Sequence, residues 1–448
     1  MNKDMMLAKE IAKLVKQRGG RTFFVGGLVR DKLLGIDNKD VDIEIHNIKP
    51  SELRDILETL GEVTEMGASF GILGLKGYDV DIAQPRTEKA TGRGHKDFEV
   101  FVDPFIGFEK AALRRDFTIN ALMMDVLTGE ILDFFGGKED LKNGVIKHVN
   151  DNTFIEDPLR VLRAAQFAAR FNFKVANETI ELAKTMDLST LARERILGEL
   201  NKGLLKAKKP SIFFEELRKM NQLDFWFKEV ADLIGVEQNP KFHPEGDVWN
   251  HTMMVLDAAA KLKNESSNPF AFMVAALCHD FGKPYTTKLE NGKIRAIGHE
   301  KEGLKPAERF LDRVINIVEV KKLVLNMVEL HMKPIILASQ NSAKKKTNAL
   351  FDKAICPADL ILIAKADHFG RGGEIGDFTE EIFLKERLEW FNFTISQPEV
   401  TGKDLIAAGI KPSPLFTQML KEAHALLLSN VKKEHALSQI KANHKNEI

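Results

Sequence analysis

The chain has 448 residues, 44% of them hydrophobic and 29% charged, and its 65 lysines and arginines balance its 65 aspartates and glutamates. At about 100–200 residues per domain the length accommodates roughly three domains. The balance excludes an indiscriminately basic nucleic-acid binder but not a chain whose opposite charges are sorted into separate regions.

Two cysteines, Cys278 and Cys356, argue against a disulfide framework and fit a reducing compartment. Met1 to Gly20 carries its charges at helical spacing, unlike a signal peptide. No run approaches the roughly 20 apolar residues of a membrane span. The expectation is a soluble cytoplasmic protein with no membrane partner.

From about residue 20 to 150, Thr22 to Val25, Val41 to Ile45, Phe70 to Leu75 and Val80 to Ile82 read as strands, with helices at Leu28 to Leu34 and Ser51 to Leu60. From about 155 onward, apolar residues recur at three and four, as in Leu159, Leu162, Phe167 and Phe171, so the remainder reads as helix. A turn-rich stretch with Gly235, Pro240, Pro244 and Gly246 separates two helical regions, and a basic helical tail follows Gln397-Pro398. The expected fold is α+β, a small mixed-sheet head followed by an all-helical body. Its divisions are a head at 1–150, a neck at 151–234, a later helical domain at 235–395 and a tail at 396–448.

After the apparent strand Phe23-Phe24-Val25, Gly26-Gly27 turn the chain into a helix whose N-terminus suits a phosphate. In Asp40-Val41-Asp42-Ile43-Glu44-Ile45 the acids share one strand face and the apolar residues the other. Like charges so placed repel unless a cation lies between them. Asp81 sits between Val80 and Ile82 in another apparent strand, and Asp79 shares its face, so pattern alone does not choose between them. Carboxylates brought together from two strands are the arrangement that holds two Mg²⁺ ions for nucleotidyl transfer.

Gly26-Gly27-Leu28-Val29-Arg30-Asp31 followed by Asp40-Val41-Asp42 resembles the head of the bacterial CCA-adding tRNA nucleotidyltransferase and poly(A) polymerase family. Arg114 to Ala121, Asp133 to Leu141, Glu156 to Ala164 and Glu194-Arg195 match further motifs in order. The resemblance implies catalytic Asp40, Asp42 and Asp81, the last placed by the triplet Arg86-Thr87-Glu88, with Asp where many members carry Glu. It implies that Gly27 and Arg30 meet the triphosphate and that Arg115 and Asp116 meet the sugar and phosphates. It makes Glu194 and Arg195 a helix-stabilising element. The stretch Arg86 to Phe98, with Gly92 and Gly94, is similar to the flexible loop that members use in switching from C to A.

The resemblance also assigns base selection to Asp157 and Arg160, which spacing puts on one face of an expected helix. A carboxylate accepts hydrogen bonds and a guanidinium donates them. The pair therefore suits cytosine and adenine, which share an amine donor beside a ring-nitrogen acceptor, and leaves buried groups unpaired with uracil or guanine. Arg163 continues that face and is a candidate for base edge or phosphate.

Further on come His251, Cys278-His279-Asp280-Phe281-Gly282-Lys283, His299, His331 and Asp367. Imidazole and carboxylate suit a metal that activates water against a phosphate ester. The pattern resembles the HD phosphohydrolase domain, which implies His251, His279, Asp280 and Asp367 as metal ligands, His299 and His331 for a second metal, and Lys283 against the phosphate. The metal there is Mg²⁺, Ni²⁺ or Mn²⁺, and Mg²⁺ serves the head.

Head, HD region and the tail motif Thr401 to Leu405 together resemble the multifunctional CCA type, which implies tRNA, CTP and ATP as partners, a monomer or homodimer, and added phosphatase and 2′,3′-cyclic phosphodiesterase work. A poly(A) polymerase, or an HD nucleotide hydrolase with an RNA-positioning head, are the alternatives. Residues 159–219 hold thirteen Lys and Arg against seven acids, while 220–260 hold two against seven. The neutral total is thus a cancellation between a basic region suited to tRNA phosphates and an acidic one.

Overall fold

The computed structural model describes residues 3–66, 72–90, 98–374 and 376–445. Phe70, Gly71, Gly92 and Gly94, which entered the strand and loop expectations, lie outside the described residues. The chain divides into two compact units, one running to Glu199 and including Ile212–Gln222, the other Leu200–Ser211 with the chain from Leu223 on.

In the first unit, Phe23, Phe24 and Val25 are buried on both faces of strand β1 (Arg21–Val25), which places it inside the sheet. Its antiparallel neighbours are β2 (Val41–His46) and, after β3 (Val63–Met66), β4 (Ile72–Leu75), β5 (Val80–Ala83), β6 (Arg86–Ala90) and β7 (Phe98–Val102), the strand β8 (Met123–Asp125). With β9 (Ile131–Leu132) the sheet order is β3-β4-β5-β2-β1-β8-β9. The one parallel pair of this mixed sheet, β2 with β5, sets Asp42 directly beside Asp81. β6 and β7 form a separate two-stranded ribbon.

The helix Gly27–Leu33 follows β1 as expected, and Lys3–Gln17 and Pro50–Leu60 cover the sheet with one apolar face each. The helix carrying the base-selecting motif is Leu159–Phe171. Asp157 precedes it, because Pro158 occupies the N-cap. The expectation that Asp157 and Arg160 ride one helical face is therefore corrected: they flank the start of the helix.

Among its described residues the second unit is helical apart from the hairpin of β12 (Lys288–Glu290) and β13 (Lys293–Arg295), which follow the short first-unit strands β10 (Val145–Ile146) and β11 (Lys174–Val175). Its central helix, Pro269–Cys278, has Asn268 accepting from the Ala271 N–H and Pro269 in the first turn. Ala271 to Cys278 are all buried, so the helix is apolar all round. It packs against Val248–Leu262 and Val318–Leu330, and Val248–Leu262 packs against Pro357–Phe369. The tail helices Gly402–Ala407, Phe416–Leu428 and Lys433–Asn443 enclose a core of their own around Leu405, Met419 and Ile440. Among the described residues no helix is long and apolar enough to cross a membrane.

Candidate functional site

In the first unit the carboxylates of Asp42 and Asp81 come from adjacent strands in register. Asp40 lies just ahead of β2, where its N–H donates to the Asn38 side chain at 2.9 Å. Asn38 in turn donates to Asp31. Burial, then Asp81, pushes Asp42 up to about 6 against the pull of Arg115. Asp81 is also raised, by burial and then by Asp79 and Asp40. Carboxylates held in this mutual repulsion are what a divalent cation relieves. Gly26, at φ +64, occupies the left-handed region, and a Cβ there would lie 3.7 Å from Asp42 Oδ2 and 3.6 Å from Arg115 Nη1.

Glu44 departs from the like-charge reading of its strand. Its side chain is 1% exposed, Oε2 accepts from Arg114 and Arg115 at 3.2 Å each, and Oε1 lies 3.0 Å from His46 Nε2. Although burial alone would raise it, Arg115, His46 and Arg114 bring Glu44 down to about 2. The cations facing this acid are guanidiniums, so it belongs to the support of Arg115.

The expected nucleotide-binding residues are linked by a relay of side chains. Arg30 donates to Asp31 and, at 2.7 Å, to Asn120, while its guanidinium lies over the rings of Phe167 and Phe171. Asn120 donates to Asp116 at 2.9 Å, and Asp116 accepts from Arg163 at 2.8 Å. Asp116 stays below its ordinary range because Arg163 and Asn120 outweigh its burial. Arg30 is 3% exposed, so it is a support behind Gly27, and Arg163 is turned onto Asp116. Arg160 donates to the carbonyls of Thr153 and Arg114. Asp157 accepts from the Leu159 N–H and, at 2.8 Å, from Arg195. Sequence reasoning set Arg195 aside as helix support; the structure joins it to Asp157.

In the second unit the histidines and aspartates meet. Among the described residues, side chains able to share a metal ion gather as His251 with His279 and Asp367, as Asp280 with His299 and His331, and as His243 with Glu245 and His251. The head carboxylates are not drawn together that closely. His251 Nε2 is 3.1 Å from Asp367 Oδ1, and His279 Nε2 is 3.2 Å from Asp280 Oδ2. His299 Nε2 is 3.3 Å from Asp280 Oδ1. Gly282 is required here, since a Cβ would stand 2.0 Å from the His299 carbonyl oxygen.

The donor chemistry tests whether a metal fits. Nδ1 of His279, His299 and His331 each faces a backbone carbonyl at 2.7–2.8 Å, and a carbonyl only accepts. These Nδ1 atoms therefore carry hydrogens, and in the neutral rings that a metal requires each Nε2 presents a lone pair. His299 Nε2 and His331 Nε2 then face each other at 3.2 Å, and the buried Nε2 of His279 has no hydrogen-bond partner. Opposed lone pairs beside two buried aspartates fit a bound cation. Burial above all lowers His331 to about 3 and keeps it neutral, as a ligand must be.

Lys283 is ion-paired with Asp280 at 2.7 Å and donates to the Gln238 carboxamide oxygen at 2.7 Å. Beside the cluster is a cavity of about 580 Å³, whose lining includes Phe242, Lys283, Lys293, Arg295, Ile297 and Arg371. Glu245 and His243 were missed from sequence, since they lie in a turn without periodicity; the short His243-Pro244-Glu245 run before His251 was the available signal.

Residues 22–147 match the Poly A polymerase head domain family, and residues 248–372 match the HD domain family. The chain is similar to the multifunctional CCA protein of Pseudoalteromonas atlantica, 34% identical over 423 residues that cover 92% of this chain and 100% of that one. In structure it is similar to the Bacillus stearothermophilus CCA-adding enzyme in complex with CTP, with a TM-score of 0.67, 21% identity, and coverage of 100% of this chain and 99% of that one. It is likewise similar to the Thermotoga maritima CCA-adding enzyme in complex with tRNA, at a TM-score of 0.63, 20% identity, and coverage of 99% and 96%.

Proposed function

The chain belongs to the multifunctional CCA protein family, and from that premise we propose that it adds C, C and A to the 3′ end of tRNA from CTP and ATP without a template. The observation that carries the reading is Asp42 beside Asp81 in register, in the unit that also holds Asp157 and Arg160. Asp40, Asp42 and Asp81 would hold divalent ions in the head, and His251, His279, Asp280 and Asp367 would hold one in the HD region, with His299 and His331 completing a second place there. Bound ions, Mg²⁺ in the head and Mg²⁺, Ni²⁺ or Mn²⁺ in the HD region, would neutralise phosphate charge and make an attacking hydroxyl or water more acidic.

The chain's own residues supply orientation and selection. Arg115, steadied by Glu44, presents positive charge beside Asp42. Asp157, held by Arg195, would offer its remaining acceptor capacity and Arg160, which also donates to the Thr153 and Arg114 carbonyls, a remaining N–H to the base edge. Rejecting U and G then follows from the unpaired groups they would leave. In the HD region Lys283, 2.7 Å from Asp280, would meet the phosphate of a nucleotide end in phosphatase and 2′,3′-cyclic phosphodiesterase work.

The test supplies the full-length protein with Mg²⁺, CTP and ATP on tRNA lacking CCA, ending in CC, or complete, with products resolved to single nucleotides. Completion to CCA and then arrest is expected, lost in D42A and retained in H279A. Hydrolysis of a 2′,3′-cyclic phosphate should show the reverse dependence. A long run of A would overturn the reading in favour of a poly(A) polymerase. Transfer that survives D42A would overturn the assignment to the head.

A further inference from the structure

Four histidines surround the HD aspartates, and each must keep its hydrogen on Nδ1 to leave Nε2 bare. For His279, His299 and His331 the acceptor is the carbonyl three residues earlier, of Ala276, Ala296 and Val328. No substitution can remove a main-chain carbonyl. His251 differs, because its Nδ1 lies 2.8 Å from Glu245 Oε1, a side chain that is 2% exposed.

We propose that Glu245 is the positioning residue of the HD metal centre: its carboxylate fixes the tautomer and ring orientation of His251 so that Nε2 points at Asp367. A carboxylate only accepts, so Nδ1 of His251 carries a hydrogen, and Nε2, 3.1 Å from Asp367 Oδ1, is the nitrogen left to exchange its own for a metal. Partners of this kind govern how well a ligating histidine performs. Glu245 does more than face one ring. Oε1 is also 2.9 Å from His243 Nδ1, and Oε2 accepts from the Gly372 N–H at 2.9 Å. The His243 ring meets the His251 ring edge to face at 4.8 Å. Gly372 lies just beyond the helix Pro357–Phe369 that carries Asp367. One buried carboxylate thus ties the ligand on one helix to the segment that follows the other.

The inference rests on the metal-binding reading of the HD region, and the test separates the two. Full-length protein is stripped with a chelator and titrated with Ni²⁺ alone by calorimetry, in a D42A background that removes a head carboxylate. E245A is expected to weaken Ni²⁺ binding about 10–100-fold. E245Q, which keeps an acceptor oxygen without the charge, should weaken it less, by at least about threefold. Proton–nitrogen NMR of the stripped protein should show a downfield, exchange-protected Nδ1–H on His251 in the wild type, lost in E245A. A residue that serves only packing would move melting temperature and leave that Nδ1–H in place. If E245A does not fold, E245Q decides by the same titration. Affinity within twofold of wild type for both variants, while H279A abolishes binding, would overturn the role of Glu245. If H279A binds Ni²⁺ like the wild type, the metal-binding reading itself falls.

Discussion

Replacing Glu44 by glutamine should unfasten the head without touching the transferring carboxylates. The change preserves shape and removes one charge from a side chain that is 1% exposed and faces Arg114, Arg115 and His46. The folded protein holds Glu44 at about 2 against an ordinary 4.5, and at 1.36 kcal/mol per unit that displacement is worth about 3 kcal/mol. This sits at the low end of the roughly 3–5 kcal/mol lost when one partner of a buried ion pair is removed. Arg114 is itself shifted down because its burial outweighs Glu44, so the fully buried carboxylate is the better gauge of the pair. Trp226, Trp249 and Trp390 all lie in the second unit, so tryptophan fluorescence is an internal control and the head has to be followed by hydrogen exchange. Amides of β1 and β2 should exchange about 10²-fold faster in E44Q at neutral pH, with the fluorescence transition unmoved. The sign with pH is set by a depressed acid: the difference is complete above about 4.5 and shrinks as pH falls toward 2. Exchange within threefold of wild type, together with a raised Mg²⁺ requirement for transfer, would refute the argument and return Glu44 to the metal.

Two other outcomes are expected. Arg195→Met removes a charge-assisted bond to Asp157 worth about 1.5–3 kcal/mol, so preference for CTP and ATP over UTP and GTP in single-nucleotide competition should fall about tenfold or more; unchanged preference would separate Asp157 from base reading. His424, raised by its bond to Asp352 and also by Glu399 despite partial burial, contributes its stability below about 6.5 and loses it as pH rises through its folded value. Limited proteolysis should therefore cut the tail faster at pH 8.5 than at pH 6, and H424Q should abolish that difference.

What the sequence made legible was which face a residue takes. Period-two alternation put Asp42 and Asp81 on strand faces, and the parallel pairing of β2 with β5 then set them side by side. The histidines stand at helix ends, next to buried helices whose apolar runs are evident, and the HD cluster assembles from them. What lies across from a face was not legible. Glu44 reads as a third repelled acid until Arg114 and Arg115, seventy residues on, are seen against it. Pro158 displaced the start of a helix by less than a turn, which was enough to put Asp157 ahead of it, within reach of Arg195.

The same distinction alters the meaning of the charge count. Residues 159–219 carry a surplus of six positive charges, which in isolation reads as a surface for tRNA phosphates. Yet Arg163 is committed to Asp116, Arg195 to Asp157, Arg170 reaches Asp31, and Arg160 is turned onto main-chain carbonyls. These arginines act as rigid forks of donors that hold carboxylates and carbonyls in place around the proposed nucleotide pocket. Most exposed cations of the stretch are lysines, including Lys174, Lys206, Lys208 and Lys209, with Arg218 the exposed arginine. Lysine is a strongly hydrated point charge on a flexible stem, and phosphate neutralisation is sequence-independent and screened by salt. The two kinds of cation thus divide the proposed task between them. On the proposed function, arginine would organise the site that must distinguish C and A from U and G, and exposed lysine would meet a backbone that is the same for every tRNA.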